Sequence, residues 1–587
     1  MQAPCFFAFS RVDFTQINKG AKTRRLEEAK VRKRLCFFAF LPLCVKNRSF
    51  IKGLYRFLFL CLFTRRFHAK KQGGKDAEIR RSKGSQAPLL LCFFGSLREA
   101  IQVDFLIFRI HTIYIMTEQS PSFKPSLGLL DATMVVAGSM IGSGIFIVSA
   151  DITRNVGSGG WLIFVWLITG FMTLTAAVSY GELSAMYPKA GGQYVYLKEA
   201  FNPLAGFLYG WSFFAVIQTA TIAAVGVAFS KFAGYFFPAL ELKDENILVH
   251  LGSFKIYPAQ LVSIILIALL TYINTRGIKS GKIIQTTFTV TKLLSLFGLI
   301  GFGFLLAAKS DIWHANWQNA WDMKSLAADG QTNAVTGMAM LGAIAAGMVG
   351  SIFSSDSWNN VTFIAGEIKN PKRNIGLSLF LGTLIVTIIY VSANLMYMSV
   401  LPLNEIAFAK QDRVAVVASN AIFGNAGTYV IAVMIMISTF GCNNGLILAG
   451  ARVYYTMAKD GLFFKNAGKL NKNAVPEWAL WAQCIVASIL CLSGKYGDLL
   501  DMVAFVVVIF YVLTIIGIFV LRSKRPDLER PYKAFGYPVL PAIYIVMGVA
   551  FCIALIFQKP VYAGWGLAIV LMGIPLYFIA QRSNTEQ

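Results

Sequence analysis

The chain has 587 residues, 56% of them hydrophobic and 14% charged, with a mean hydropathy of +0.60. A soluble domain of this size needs more charged surface, and the apolar runs are continuous rather than alternating. Composition therefore argues against a soluble enzyme and a β-barrel and for a polytopic helical membrane protein. The net charge of +25 does not mark a nucleic-acid binder: residues 1–115 carry 23 Lys+Arg against 7 Asp+Glu, leaving the rest with an excess of +9, ordinary for basic loops between spans.

Residues 1–115 do not read as a domain. Cys5-Phe6-Phe7-Ala8-Phe9 recurs as Cys36-Phe37-Phe38-Ala39-Phe40, and again in part as Cys92-Phe93-Phe94-Gly95, among basic and aromatic residues without helical or strand period. No apolar core leads to a small-residue cleavage site, so this is not a signal peptide. Met116 opens a polar lead, 116–126, directly before the first convincing span. The expectation is that Met116 is the biological start and that 1–115 is spurious upstream sequence; a basic arm at the membrane surface is the rival.

Twelve candidate spans follow, at 127–150, 160–187, 203–237, 258–275, 283–308, 336–366, 375–400, 427–458, 476–494, 499–521, 538–557 and 561–580. With the amino terminus cytoplasmic, the inward loops hold about twice the Lys+Arg of the outward ones, which favours both termini inside. The outward loops 309–335 and 401–426 are long enough for short surface helices.

The first span contains Gly138-Ser139-Met140-Ile141-Gly142-Ser143-Gly144 at its middle. Glycine costs about 1 kcal/mol relative to alanine inside a helix, and hydrocarbon cannot satisfy freed backbone groups. Three glycines and two serines there predict a helix opened to hold a polar solute. Lys292 lies near the middle of the fifth span, where a charge is functional by default. One reading of it is a proton carrier. The sixth span has its own interruption, Gly350-Ser351-Ile352-Phe353-Ser354-Ser355-Asp356-Ser357-Trp358. Breaks in spans one and six, five apart, match two inverted five-helix halves with a site at the midplane. Packing through small residues is the bland reading of either break alone.

Asn443 and Asn444 in the eighth span read as interhelical hydrogen-bond formers before ligands. Cys442, Cys484, Cys491 and Cys552 have no ligand spacing and read as packing residues. Gly277 through Lys282 fails as a phosphate loop by one residue. The four histidines form no metal pair, so neither metal nor cofactor is expected.

The stretches Gly138–Phe146, Trp358–Asn374, Phe440–Arg452 and Arg525–Lys533 resemble the amino acid–polyamine–organocation superfamily, and within it the L-type amino acid transporters and their bacterial relatives. The resemblance implies an all-α, LeuT-like 5+5 inverted repeat with 12 transmembrane helices: 127–308 the first repeat, 336–521 the second, and 538–580 two further helices. It implies that the backbone N–H groups of Ser143 and Gly144 meet a substrate carboxylate, with Gly142 allowing close approach. The carbonyls of Met140 and Phe353 would take the α-amino group, with Ser139 nearby.

Phe353 matches the family's aromatic gate, the alternative being a core aromatic. The resemblance turns Lys292 toward the first helix, where sodium-coupled cousins bind Na⁺, which argues against Na⁺ coupling. Its second reading is an ammonium held to the carbonyls of the opened first span, and in an exchanger the two readings are compatible. Bacterial relatives often carry Tyr-Asp-Gly-Trp where Ser355-Asp356-Ser357-Trp358 stands here. Asp356 then binds a substrate amine or caps freed backbone N–H groups, with the structural role slightly favoured. Loop 238–257 lacks the cysteine by which animal relatives bond a glycoprotein, so no ancillary glycoprotein is expected.

The implied activity is exchange of neutral amino acids across the cytoplasmic membrane. Proton-coupled symport is the alternative within transport, and a non-transporting sensor or scaffold the alternative outside it. Protein from native cells is expected to yield no peptide from residues 1–115 by mass spectrometry. Recovery of such peptides would show that the basic arm is made.

Overall fold

The computed structural model describes residues 125–585 apart from 242, 252–253, 328, 330 and 494–495. The expectations for 1–115 and most of the polar lead lie outside the described residues.

The chain enters α1 (Leu129–Met140), whose first turn is held by Asp131 Oδ2 accepting from Gly128 N at 3.0 Å. An irregular turn and a 3₁₀ turn, Gly144–Phe146, lead to α2 (Ser149–Val156), which ends on Gly157 at φ +58°. There follow α3 (Gly159–Met186), α4 (Gln193–Ala200) and α5 (Pro203–Ser212), the last capped by Asn202 Oδ1 with proline at its first position. A π turn, Phe213–Ile217, joins α5 to α6 (Gln218–Phe236).

The hairpin β1 (Val249–Leu251) and β2 (Phe254–Ile256) precedes α7 (Pro258–Thr275) and α8 (Ile278–Phe302). Next come α9 (Ser310–Trp317) and a second hairpin, β3 (Lys324–Leu326) and β4 (Thr332–Ala334). The sixth span is α10 (Met338–Ser354) and α11 (Asn360–Phe363), followed by α12 (Pro371–Val400) and the short α13 (Leu403–Ala407). Then run α14 (Val414–Lys459), kinked at Gly424, α15 (Glu477–Ser493), α16 (Tyr496–Lys524), α17 (Val539–Gln558) and α18 (Pro560–Thr585).

Among the described residues nine helices are long and apolar enough to cross a membrane. Three shorter apolar ones, Leu129–Met140, Met338–Ser354 and Glu477–Leu492, fall on the first, sixth and ninth expected spans. The two breaks are the reason the first two are short. The loops 309–335 and 401–426 carry the expected short helices. The two small antiparallel hairpins are additions that the hydropathy pattern could not show, since each strand is only three residues long.

Burial sorts the helices into a core and a rim. The apolar windows of α5–α6 and α16 are 83% and 72% buried, whereas those of α17 and α18 are 28% and 22% buried. The rim turns side chains such as Leu305 and Phe557 outward, an arrangement that only a hydrocarbon solvent makes inexpensive.

Polar ties gather at the helix ends. Ser126 N and Leu127 N donate to Glu367 O at 2.8 and 3.0 Å, and Lys369 N returns a bond to Leu127 O at 2.8 Å, strapping the entry of α1 to the exit of the sixth span. Arg452 of α14, fully buried, pairs with the Glu367 carboxylate (Nε to Oε1, 3.1 Å). Glu182 of α3 takes Arg522 bidentately at 3.0 and 2.6 Å and also accepts from Ala534 N at 2.7 Å. At the far end of the first span, Arg154 of α2 pairs with Asp412 at 2.8 Å, and Arg413 with Glu241 at 3.5 Å.

Removing one partner of a buried pair strands the other's charge, at about 3–5 kcal/mol. Glu367→Ala is expected to lower the thermal midpoint of the detergent-purified protein sharply, and Glu367→Leu with Arg452→Met to recover most of the loss.

Candidate functional site

The first break begins at Ile141, where ψ turns to +89° and the helix stops. Backbone pairing then runs through Gly142 N to Met140 O (2.9 Å) and resumes with Phe146 N to Ser143 O (3.1 Å). The carbonyls released at the end of α1 are taken up by side chains from three other helices. Lys292 of α8, fully buried, donates to Gly138 O and to Ile141 O, the latter at 2.6 Å. Ser438 of α14 reaches Gly142 O at 3.2 Å, and Cys442 Sγ lies 3.1 Å from Ser139 O. Tyr390 of α12 places its hydroxyl 3.0 Å from Met140 O. The Lys292 ammonium is thus held by carbonyls of the opened span.

The second break spans Ser355 to Asn359. Ser355 N and Asp356 N close the end of α10 on Ser351 O (2.9 Å) and Phe353 O (3.3 Å). Ser357 then sits at φ +64°, in the left-handed region that favours glycine. This is the position at which bacterial relatives often carry glycine, so serine there keeps the turn at a backbone cost of about 1–2 kcal/mol. Asp356 is buried and its Oδ1 accepts from the Tyr511 hydroxyl of α16. It lines two small cavities, one with Gln193, Gln218 and Asn360, the other with Thr173, Trp358 and Tyr544.

The two breaks touch. A Cβ added to Gly144 would stand 2.6 Å from Ser354 Cβ and 3.0 Å from Ser354 Cα, so only glycine lets the first break lie against the last turn of α10. The Tyr390 hydroxyl is also 2.9 Å from Ser354 O and therefore reaches both breaks. Met140 and Gly144 thus come together with Ser354 and its neighbour Phe353, whose side chain is buried.

Ser139 lies beside them, buried, with a hydroxyl that finds no partner among the described residues. Ser143 is buried in the same turn. Gly142 faces elsewhere: a Cβ there would meet Cys442 Sγ at 3.1 Å. Asp356 stands apart from the Gly144–Ser354 contact, turned toward α16.

Several residues at the breaks escaped the sequence reading. Tyr390, Asn394 and Tyr397, four and three apart, form a polar stripe on one face of α12, and that spacing in an apolar span was the available signal. Ser438 and Cys442, also four apart, are the equivalent on α14. Cys442 is more than filler, since its sulfur meets the carbonyl of Ser139. Asn444 does bond across helices, accepting from Asn274 Nδ2 at 2.9 Å. Asn443, fully buried, finds no partner for either amide atom among the described residues.

Paired broken helices in contact inside a bundle of membrane-length helices define a membrane transporter class, with freed backbone groups as its polar centre. The chain belongs to the amino acid permease family, whose model matches residues 127–579. It is 29% identical over 460 residues to the large neutral amino acids transporter small subunit 2 of Homo sapiens, covering 78% of this chain and 81% of that protein. It is 27% identical over 471 residues to the b(0,+)-type amino acid transporter 1 of Rattus norvegicus, covering 80% and 90%. The Asc-type amino acid transporter 1 of Mus musculus is 28% identical over 459 residues, covering 78% and 81%.

Gly144→Val would drive its side chain into the backbone of Ser354 and force the breaks apart. It is expected to abolish uptake in whole cells while the protein remains inserted in the membrane, as judged by surface labelling. Normal uptake would remove Gly144 from the site.

Proposed function

We propose that the chain exchanges neutral amino acids across the cell membrane by alternating access, with the substrate bound between the two helix breaks. The observation that carries this reading is the contact of Gly144 with Ser354, which brings two interrupted helices to one point at the middle of their spans. An amino acid has a carboxylate and an ammonium a few ångströms apart, and the two breaks offer one group for each. The N–H groups of Ser143 and Gly144, at the start of the outer half of the first span, suit the carboxylate. The carbonyls of Met140 and Phe353, with the Ser139 hydroxyl, which finds no partner among the described residues, beside them, suit the ammonium. Phe353 serves as the lid, and Asp356 ties the second break to α16 through Tyr511.

The printed names of the relatives, which include a large neutral amino acids transporter, support the substrate class. Lys292 supports exchange without Na⁺, because its ammonium already occupies the carbonyls of Gly138 and Ile141. The two breaks, five spans apart, support inverted repeats over 127–308 and 336–521 with 538–580 outside them. The basic loops support cytoplasmic termini. One relative is named a small subunit; the absence of cysteine from loop 238–257 supports a chain that works without a disulfide-bonded glycoprotein.

Purified protein in lipid vesicles is expected to take up labelled L-leucine only when unlabelled amino acid is inside. Uptake driven by a pH gradient alone would establish symport instead, and a lack of both modes would leave a sensor. Lys292→Met, which removes the side-chain donor of Gly138 O, at about 1–3 kcal/mol, and leaves Ile141 O only the Ser438 hydroxyl at 3.4 Å, is expected to cut exchange at least tenfold in the same assay.

A further inference from the structure

We propose that Tyr390 is a positioning residue that couples the two breaks by moving one hydroxyl proton between Met140 O and Ser354 O. Tyr390 lies in the middle of α12, buried, and belongs to neither broken helix. Its hydroxyl is 3.0 Å from Met140 O and 2.9 Å from Ser354 O. A phenol has one proton to donate, so it serves one carbonyl at a time. The two acceptors belong to the two segments whose relative movement defines the transport cycle, and the distances are equal within a tenth of an ångström.

The ring is held for this task. Trp166 of α3 meets it edge-on, with centroids 5.2 Å apart. One turn further along the same face, Asn394 accepts from Ser149 Oγ of α2 at 2.8 Å, and the next, Tyr397, is 3.4 Å from Ile145 O. This face of α12 therefore follows the first span from its break into α2, and Tyr390 on it also reaches the second break.

The coupling follows from counting acceptor sites, and it rests on the reading that Met140 O takes the substrate ammonium. A carbonyl oxygen has two lone pairs. At Met140 O one is directed at Gly142 N (2.9 Å) within the turn and the other is available to Tyr390. An arriving ammonium competes with the phenol, not with the turn. The displaced hydroxyl rotates its proton to Ser354 O, the carbonyl of the residue that Gly144 touches. Substrate at the first break thereby tightens α12 on the second break, and loss of substrate returns the proton. A charged donor replaces a neutral one at Met140 O, so the exchange is downhill when substrate binds.

The test is Tyr390→Phe, which removes only the hydroxyl, in vesicles with labelled L-leucine, alongside equilibrium binding in detergent. The expected result is an exchange rate at saturation at least tenfold below that of the unaltered protein, with the dissociation constant and KM within threefold and the thermal midpoint little changed. A merely structural hydroxyl would lower the thermal midpoint and the folded fraction together, leaving the rate per folded molecule intact.

A Tyr390→Phe rate within twofold of normal overturns the coupling while the transport reading stands. Failure of the unaltered protein to bind or exchange L-leucine overturns both. If Tyr390→Phe does not fold, Trp166→Phe frees the ring while keeping the hydroxyl. It should show the same split between rate and affinity, and a normal rate there counts against the coupling.

Discussion

A backbone carbonyl released at bilayer depth must find a donor, and the structure is arranged around that requirement. Once α1 stops at Met140, Gly138, Ser139, Met140, Ile141 and Gly142 present carbonyls that the helix no longer satisfies in full. The bundle answers with Lys292, Cys442, Tyr390 and Ser438, drawn from α8, α14 and α12. Each tie is made by a side chain to a backbone atom, so each can be undone without unfolding a helix. Irregular backbone is tolerated here because it is buried in protein rather than exposed to lipid.

The ties at the helix ends differ in kind from those at the breaks. Glu367–Arg452 and Glu182–Arg522 join whole helices through charged pairs with at least one deeply buried partner. Arg154–Asp412, at the far end of the first span, is partly exposed on both sides. Buried pairs are unforgiving of a missing partner, while exposed ones are weak and screened by salt. Arg413–Glu241, at that same end, is buried on both sides, so each end of the bundle carries a pair that is costly to break.

Membership of the amino acid permease family gives the chain a ligand class, and the geometry of the proposed site between the breaks suits that class. An amino acid backbone carries an anion and a cation at fixed spacing. Two helix breaks in contact supply donors from one and acceptors from both, without requiring a buried charged side chain for either end. The side-chain end of the pocket is less generic. Ser355 and Ser357 stand where bacterial relatives often carry tyrosine and glycine, and the aspartate between them, Asp356, is already engaged by Tyr511. That combination leaves a carboxylate beside small cavities lined by both polar and apolar side chains.

Hydropathy alone determined the helical class and the positions of the spans, because a membrane helix must be long, apolar and continuous. Glycine and serine clusters determined that the first and sixth spans break, since those residues are poor helix formers wherever they sit. The sequence also marked Lys292, because a charge in mid-span has few explanations. Which carbonyls that ammonium would hold, and that Gly144 would lie against Ser354, were decided only by tertiary packing.

The same is true of Tyr390, Ser438 and Cys442. Each is an ordinary residue in an apolar helix, and its role depends on which backbone atom a neighbouring helix presents to it. Periodicity reports the face a residue occupies, but the partner on that face is set by the crossing of helices far apart in the chain.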